Sequence, residues 1–87
     1  MYVIVVYDIE EKRVAKVCGF LRRYLSWVQN SVFEGELTEG RLQEVQMGLK
    51  ERIRLDKDSI LFYKLRAGYD IQKEVIGVEK AGTEAFI

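Results

Sequence analysis

Asp8 stands at the end of an unbroken β-branched and aromatic run, Tyr2-Val3-Ile4-Val5-Val6-Tyr7, and is followed by Ile9, Glu10 and Glu11. Few other residues offer chemistry. The chain has no histidine, which removes the commonest general base, the common zinc ligand and every Ser-His-Asp or Cys-His arrangement. Its one cysteine, Cys18, excludes an internal disulfide and every multi-cysteine zinc or iron–sulfur site. The seven glycines are scattered, so there is no Gly-rich phosphate loop. Chemistry must therefore rest on carboxylates, hydroxyls, basic side chains and a hard cation. For Asp8 the plain alternative is a capping role at the helix that follows.

Fourteen basic residues balance fourteen acidic ones, so local distribution rather than bulk charge must carry any case for nucleic acid. Lys12, Arg13, Lys16, Arg22 and Arg23 give the first-helix segment a positive balance despite Glu10 and Glu11. In a symmetric dimer they form two basic ridges able to contact phosphates, and in the plain alternative a solvated helix face. Lys50, Arg52, Arg54 and Lys57 make a second patch at the end of the second helix, where attraction to the helix dipole is a complete explanation. Ser31, on a strand, can bond a phosphate or a neighbouring backbone group. Phe33 reads as core, Trp27 as a packing plug in a loop, and Cys18 as a small buried hydrophobe. Asp56, Asp58 and Asp70 read as turn formers.

These residues need elements to position them. The opening run is a central strand buried on both faces. Val14, Val17, Cys18, Leu21 and Leu25 repeat at helical spacing, predicting a helix over 11–24, with Gly19 permitting close packing on the sheet. Strand character resumes at Val28 and continues past Gly35, a bulge or tight hairpin. Thr38 caps a second helix with an apolar stripe at Leu42, Val45, Leu49 and Ile53. A strand over 59–65, a turn around Gly68 and a short strand over 73–79 follow. The order is a ferredoxin-like β-α-β-β-α-β sandwich of the α+β class with an extra C-terminal strand. That strand covers its own sheet edge or pairs with a partner subunit, and the small size of the chain favours the partner. Residues 1–80 form the single domain and 81–87 a tail. No apolar run approaches the ~18 residues of a membrane span, and no signal-peptide pattern follows Met1, so the expected setting is cytoplasmic.

A strand ending in Tyr7-Asp8-Ile9, the basic pair Lys12-Arg13, and Val28-Gln29-Asn30-Ser31-Val32-Phe33-Glu34 before a Leu-containing helix together resemble the small CRISPR-associated spacer-acquisition family. Its members are partners of the CRISPR integrase and are often labelled endoribonucleases. The resemblance covers nearly the whole chain, residues 1–78. It implies a symmetric homodimer with the last strand contributing to pairing, and Asp8 near the two-fold axis, where both copies hold one Mg2+ or Mn2+ ion. It also implies metal-dependent endonuclease activity on single-stranded RNA or double-stranded DNA, with Arg13, Ser31 and Phe33 at family positions. The dimer of such proteins bridges integrase dimers and supports the DNA between them. Two departures stand out: Glu10 and Glu11 dilute the basic helix start, and Leu25-Ser26-Trp27 replaces a glycine before the second strand.

The expected function is therefore spacer acquisition with nucleic-acid binding. The rivals are a toxin-type metal-dependent ribonuclease and a ferredoxin-like dimerisation module without nuclease activity.

Overall fold

Seven elements arise in the order β1 (Tyr2–Asp8), α1 (Glu11–Leu21), β2 (Ser26–Gln29), β3 (Val32–Glu36), α2 (Glu39–Lys50), β4 (Ser59–Leu65) and β5 (Ile71–Gly77). They are seen in a computed structural model that describes residues 1–66 and 71–79. Every strand pairing is antiparallel, and the sheet order is β2-β3-β1-β4-β5. The α+β, ferredoxin-like arrangement with an extra last strand is the one the element pattern predicts. No helix among the described residues is long and apolar enough to cross a membrane. The expected tail at 81–87 lies outside the described residues, as does most of the turn around Gly68.

The two faces of β1 differ. Val3, Val5 and Tyr7 are buried in one core with Val17, Phe20 and Leu21 of α1 and Leu42, Val45 and Leu49 of α2. Alternation sends Tyr2, Ile4 and Val6 to the other face, where they are half-buried. There the register sets Ile4 beside Glu34 and Tyr63, and Val6 beside Val32 and Leu61. The strand is central as expected, but among the described residues helices cover one of its faces and not both.

Several local expectations are corrected. α1 ends at Leu21, where the Arg22 amide donates to the Cys18 carbonyl and the Arg23 amide to the Phe20 carbonyl in a tightened last turn. Gly19 makes no close approach; Gly48 does, since a Cβ there would fall 2.1 Å from the Phe20 ring. The glycine that lets the helices pack is thus on α2.

The strand expected from Val28 onward is a hairpin. It turns at Asn30, whose φ of 42° suits the residue most tolerant of that region after glycine. The irregularity falls between Trp27 and Gln29, while Gly35 lies within β3 opposite Val3. Trp27 sits on edge strand β2 at 50% exposure and is no packing plug. Ser31 belongs to the turn rather than a strand. β5 begins earlier than expected and pairs along its whole length with β4 of its own chain, from Leu65–Ile71 to Ser59–Gly77. It covers the β4 edge of its own sheet, one of the two roles expected of it, and forms the outer strand of that sheet.

Candidate metal and nucleic-acid site

Antiparallel topology decides which loops share an end of the sheet. Asp8 closes β1 opposite Ser59, the first residue of β4. On the other side the Tyr7 amide donates to the Ser31 carbonyl at 3.0 Å, which puts the hairpin tip at that end. β5 finishes there too, with Gly77 opposite Ser59. α1 starts at this end because it follows β1, and α2 finishes there because it precedes β4.

Asp8 is exposed and continues the Ile4–Val6 series on the helix-free face. The N-cap position of α1 is Glu10 rather than Asp8. Arg13, expected to face phosphate, is instead largely covered and committed within the chain. Its Nε donates to Asp58 Oδ2 at 2.7 Å and its Nη2 to Asp58 Oδ1 at 3.0 Å and Glu10 Oε1 at 2.5 Å. Asp58 is fully buried, and its carboxylate also accepts from the amides of Glu10 at 3.0 Å and Arg54 at 2.9 Å. The Arg13 bonds, joined by those two amides, hold the Asp58 carboxyl well below the usual carboxylate range against the opposing effect of burial. Arg13 likewise pulls Glu10 downward, with help from Lys57 and Lys12.

Asp58, the buried partner of Arg13, is the residue at this end that sequence reasoning missed. An acid in a Leu-Asp-Lys-Asp loop looks like an ordinary turn former, and its partner Arg13 is 45 positions away. Asp56 fits the ordinary role better, being exposed and paired with Arg54 at 2.9 Å. Asp70 lies outside the described residues.

The basic candidates divide by topology. Lys12 and Lys16 are exposed on one helical side of α1, while Arg23 is exposed in the turn beyond its end. Arg22 and Arg23 lie toward the end of α1 remote from Asp8, stacked 5.9 Å from the Phe33 ring and 5.2 Å from the Phe20 ring. The second patch divides: Arg54 and Lys57 come to the Asp8 end, where the Arg54 amide bonds Asp58 and Lys57 acts on Glu10, while Arg52 lies over the same Phe20 ring as Arg23. Within it Lys50 is exposed, whereas Arg52 lies 4.2 Å above Phe20 and bonds the Gly48 carbonyl at 2.9 Å. Arg54 is occupied by Asp56.

Phe33 is fully buried core, as its neighbours implied. Cys18 is only partly buried, with its Sγ 3.0 Å from the Tyr7 hydroxyl. Burial and that contact push the Tyr7 phenol up to about 12.

No cluster of three or more metal-ligating side chains exists among the described residues. Magnesium does not need one, since one or two carboxylates with waters and a substrate phosphate suffice. With Glu10 and Asp58 tied to Arg13, the exposed carboxylate of Asp8 fits as a ligand for such an ion.

A family model described as CRISPR associated protein Cas2 matches residues 1–73. The CRISPR-associated endoribonuclease Cas2 2 of Archaeoglobus fulgidus is 52% identical over 80 residues, covering 92% of this chain and 87% of that protein. The CRISPR-associated endoribonuclease Cas2 of Thermococcus kodakarensis is 49% identical over 87 residues, the full length of both. A solved Cas2 crystal structure superposes with a TM-score of 0.70 at 43% identity, covering 83% of this chain and 90% of the other. Streptococcus pyogenes Cas2 at pH 6.5 gives a TM-score of 0.70 at 35% identity over 76% of this chain and 87% of that one.

Proposed function

Since this chain belongs to the CRISPR-associated Cas2 family, we propose that it acts in spacer acquisition as a homodimer that binds nucleic acid, bridges the integrase and hydrolyses phosphodiester bonds with magnesium or manganese. The observation that carries this proposal is the position of Asp8. It sits exposed at the tip of the central strand, on the sheet face that the helices leave half-covered.

That face supports pairing with a second copy. Ile4, Val6, Val32, Leu61 and Val75 adjoin one another across four strands. An isologous contact buries the same apolar patch from both sides, and a chain this small gains stability from doing so. A two-fold axis near the end of β1 sets Asp8 against Asp8 of the partner subunit. Two such carboxylates repel unless a cation or a shared proton relieves them. Asp8 of the two subunits would hold a divalent ion, which when bound would supply charge stabilisation at a phosphoryl oxygen and a more acidic water, so that no histidine is required.

Lys12 and Lys16 on α1, with Arg23 just beyond it, hold phosphates along the duplex or single strand, with Lys57 at the Asp8 end and Lys50 as further contacts. Ser31 lies at that same end for contact with the backbone. In this scheme Arg13 serves within the fold rather than at the phosphate. The double-stranded DNA bound during acquisition and the RNA or DNA that is cleaved share these contacts, because phosphate binding carries no sequence preference. The chain works in the cytoplasm, where the integrase and its DNA meet.

The test is Asp8→Asn. Cleavage of labelled single-stranded RNA and double-stranded DNA in magnesium should fall at least ~100-fold, the scale expected for losing metal-assisted stabilisation of a transition state. Binding of the same duplex should persist. Unchanged metal-dependent cleavage would remove Asp8 from the mechanism. Spacer acquisition that survives the substitution would make bridging, rather than hydrolysis, the role of the chain in that process.

A further inference from the structure

Asp58 accepts more hydrogen bonds than a turn requires. The Arg54 amide at 2.9 Å is enough to shape the loop before β4. The other three donors, the Glu10 amide and the Nε and Nη2 of Arg13, all belong to the segment just after Asp8. A fully buried carboxylate that takes four bonds uses its whole accepting capacity. Half of them come from a bidentate guanidinium, the most directional partner a carboxylate has.

The backbone of Asp58 ties in a third segment. Its carbonyl accepts from the Val78 amide at 2.8 Å. Gly77, at φ 90°, is what permits that approach, since a Cβ there would stand 2.1 Å from the same carbonyl oxygen. The loop holding Asp58 is thus anchored to the sheet through β5 as well as β4.

Asp8 lies between two of these anchors. On one side it pairs with Ser59, the chain neighbour of Asp58. On the other, the amide of Glu10, two residues on, is bonded to the Asp58 carboxylate. We infer that Asp58 is a positioning residue for Asp8, with Arg13 as the strut between the two loops, a role that rests on the proposed use of Asp8 as the ion's ligand. Magnesium accepts oxygen ligands only at 2.0–2.1 Å in near-octahedral array, so a carboxylate supplied by a loose turn binds it poorly. A residue that touches neither ion nor substrate can in this way set metal affinity.

The experiment compares the full chain with Asp58→Asn and with Arg13→Lys, which keeps the charge but loses the fork. Val45→Ala serves as a control that destabilises the core away from this network. Backbone amide exchange is measured over residues 9–13 and over α2, and manganese affinity by titration. In both network variants, exchange over 9–13 should rise more than over α2, and manganese affinity should fall about 10- to 100-fold, as for other residues that orient a metal ligand. Cleavage at saturating manganese should remain, while Val45→Ala should leave affinity unchanged. If Asp58→Asn does not fold, Arg13→Lys carries the same comparison.

Wild-type affinity and 9–13 exchange in both network variants would overturn the inference. So would an equal loss of affinity in Val45→Ala. Faster exchange over 9–13 in the network variants, together with manganese binding that survives Asp8→Asn, would instead overturn the proposed use of Asp8 while keeping the clamp on its loop.

Discussion

Val5 and Val6 are consecutive on β1, yet one is sealed in the core and the other half-exposed on the opposite face. On the Val5 side, packing is tight enough that Phe20 occupies the space a Cβ on residue 48 would need. Arg52 closes over the same ring at 4.2 Å. On the Val6 side, apolar residues are interleaved with Tyr2, Glu34 and Glu36, and no helix among the described residues is laid over them. The first face makes the fold of a single chain. The second has the composition of a surface that is completed by another molecule, with Asp8 at its margin. Substitutions on the two faces should therefore break different things.

The largest effect belongs to the covered face. Leu49→Ala removes a fully buried side chain between α2 and the sheet, and should cost about 2–5 kcal/mol of folding free energy in denaturant titration. Val6→Lys, one pleat away from the core, should leave the individual chain folded by circular dichroism. Its dimer dissociation constant, measured by sedimentation, should rise about 30- to 100-fold, the equivalent of about 2–3 kcal/mol for burying an unpaired polar group. A Val6→Lys protein that unfolds, or one that dimerises as well as wild type, would erase the distinction between the faces.

Acid sharpens the same distinction. The folded carboxyl of Asp58 is held below its ordinary value of 3.8, first by Arg13, so its contribution to stability is complete above that value and drains away as pH falls below it. Folding stability should thus decline from about pH 4 downward, and Asp58→Asn should show a flatter limb over that window. Because Asp58 joins loops within one chain, the effect should appear in unfolding curves of Val6→Lys as well.

How much of this was legible from the residues alone depends on how local each signal was. β1 and β4 announced themselves through β-branched and aromatic runs, and the structure places β4 at Ser59–Leu65 as expected. Thr38 was recognisable as a cap, and its hydroxyl does accept the Arg41 amide at 3.1 Å. The hairpin turn was sought at Gly35 rather than at Asn30, because Asn30 and Ser31 sit inside a stretch that favours strand throughout and the φ of Asn30 appears only in the fold. Gly35 drew attention as a breaker, but its lack of a side chain serves packing. A Cβ there would stand 3.0 Å from the Leu25 side chain.

At the site, Asp8 could be found because a strand end is a local feature. The fate of Arg13 could not, since its bonds to Asp58 join parts of the chain that only the fold brings together. The same holds for the second basic patch. Helix-dipole attraction accounted for its sequence position, and only the fold shows that the loop after α2 delivers Arg54 and Lys57 to the Asp8 end.

Counting manganese ions in the purified dimer tests the central claim most directly, because an ion shared across a two-fold axis leaves a distinct stoichiometry. The account predicts one tightly bound Mn2+ per two chains, absent in Asp8→Asn while the dimer itself persists. One ion per chain, or binding that survives in Asp8→Asn, would contradict it.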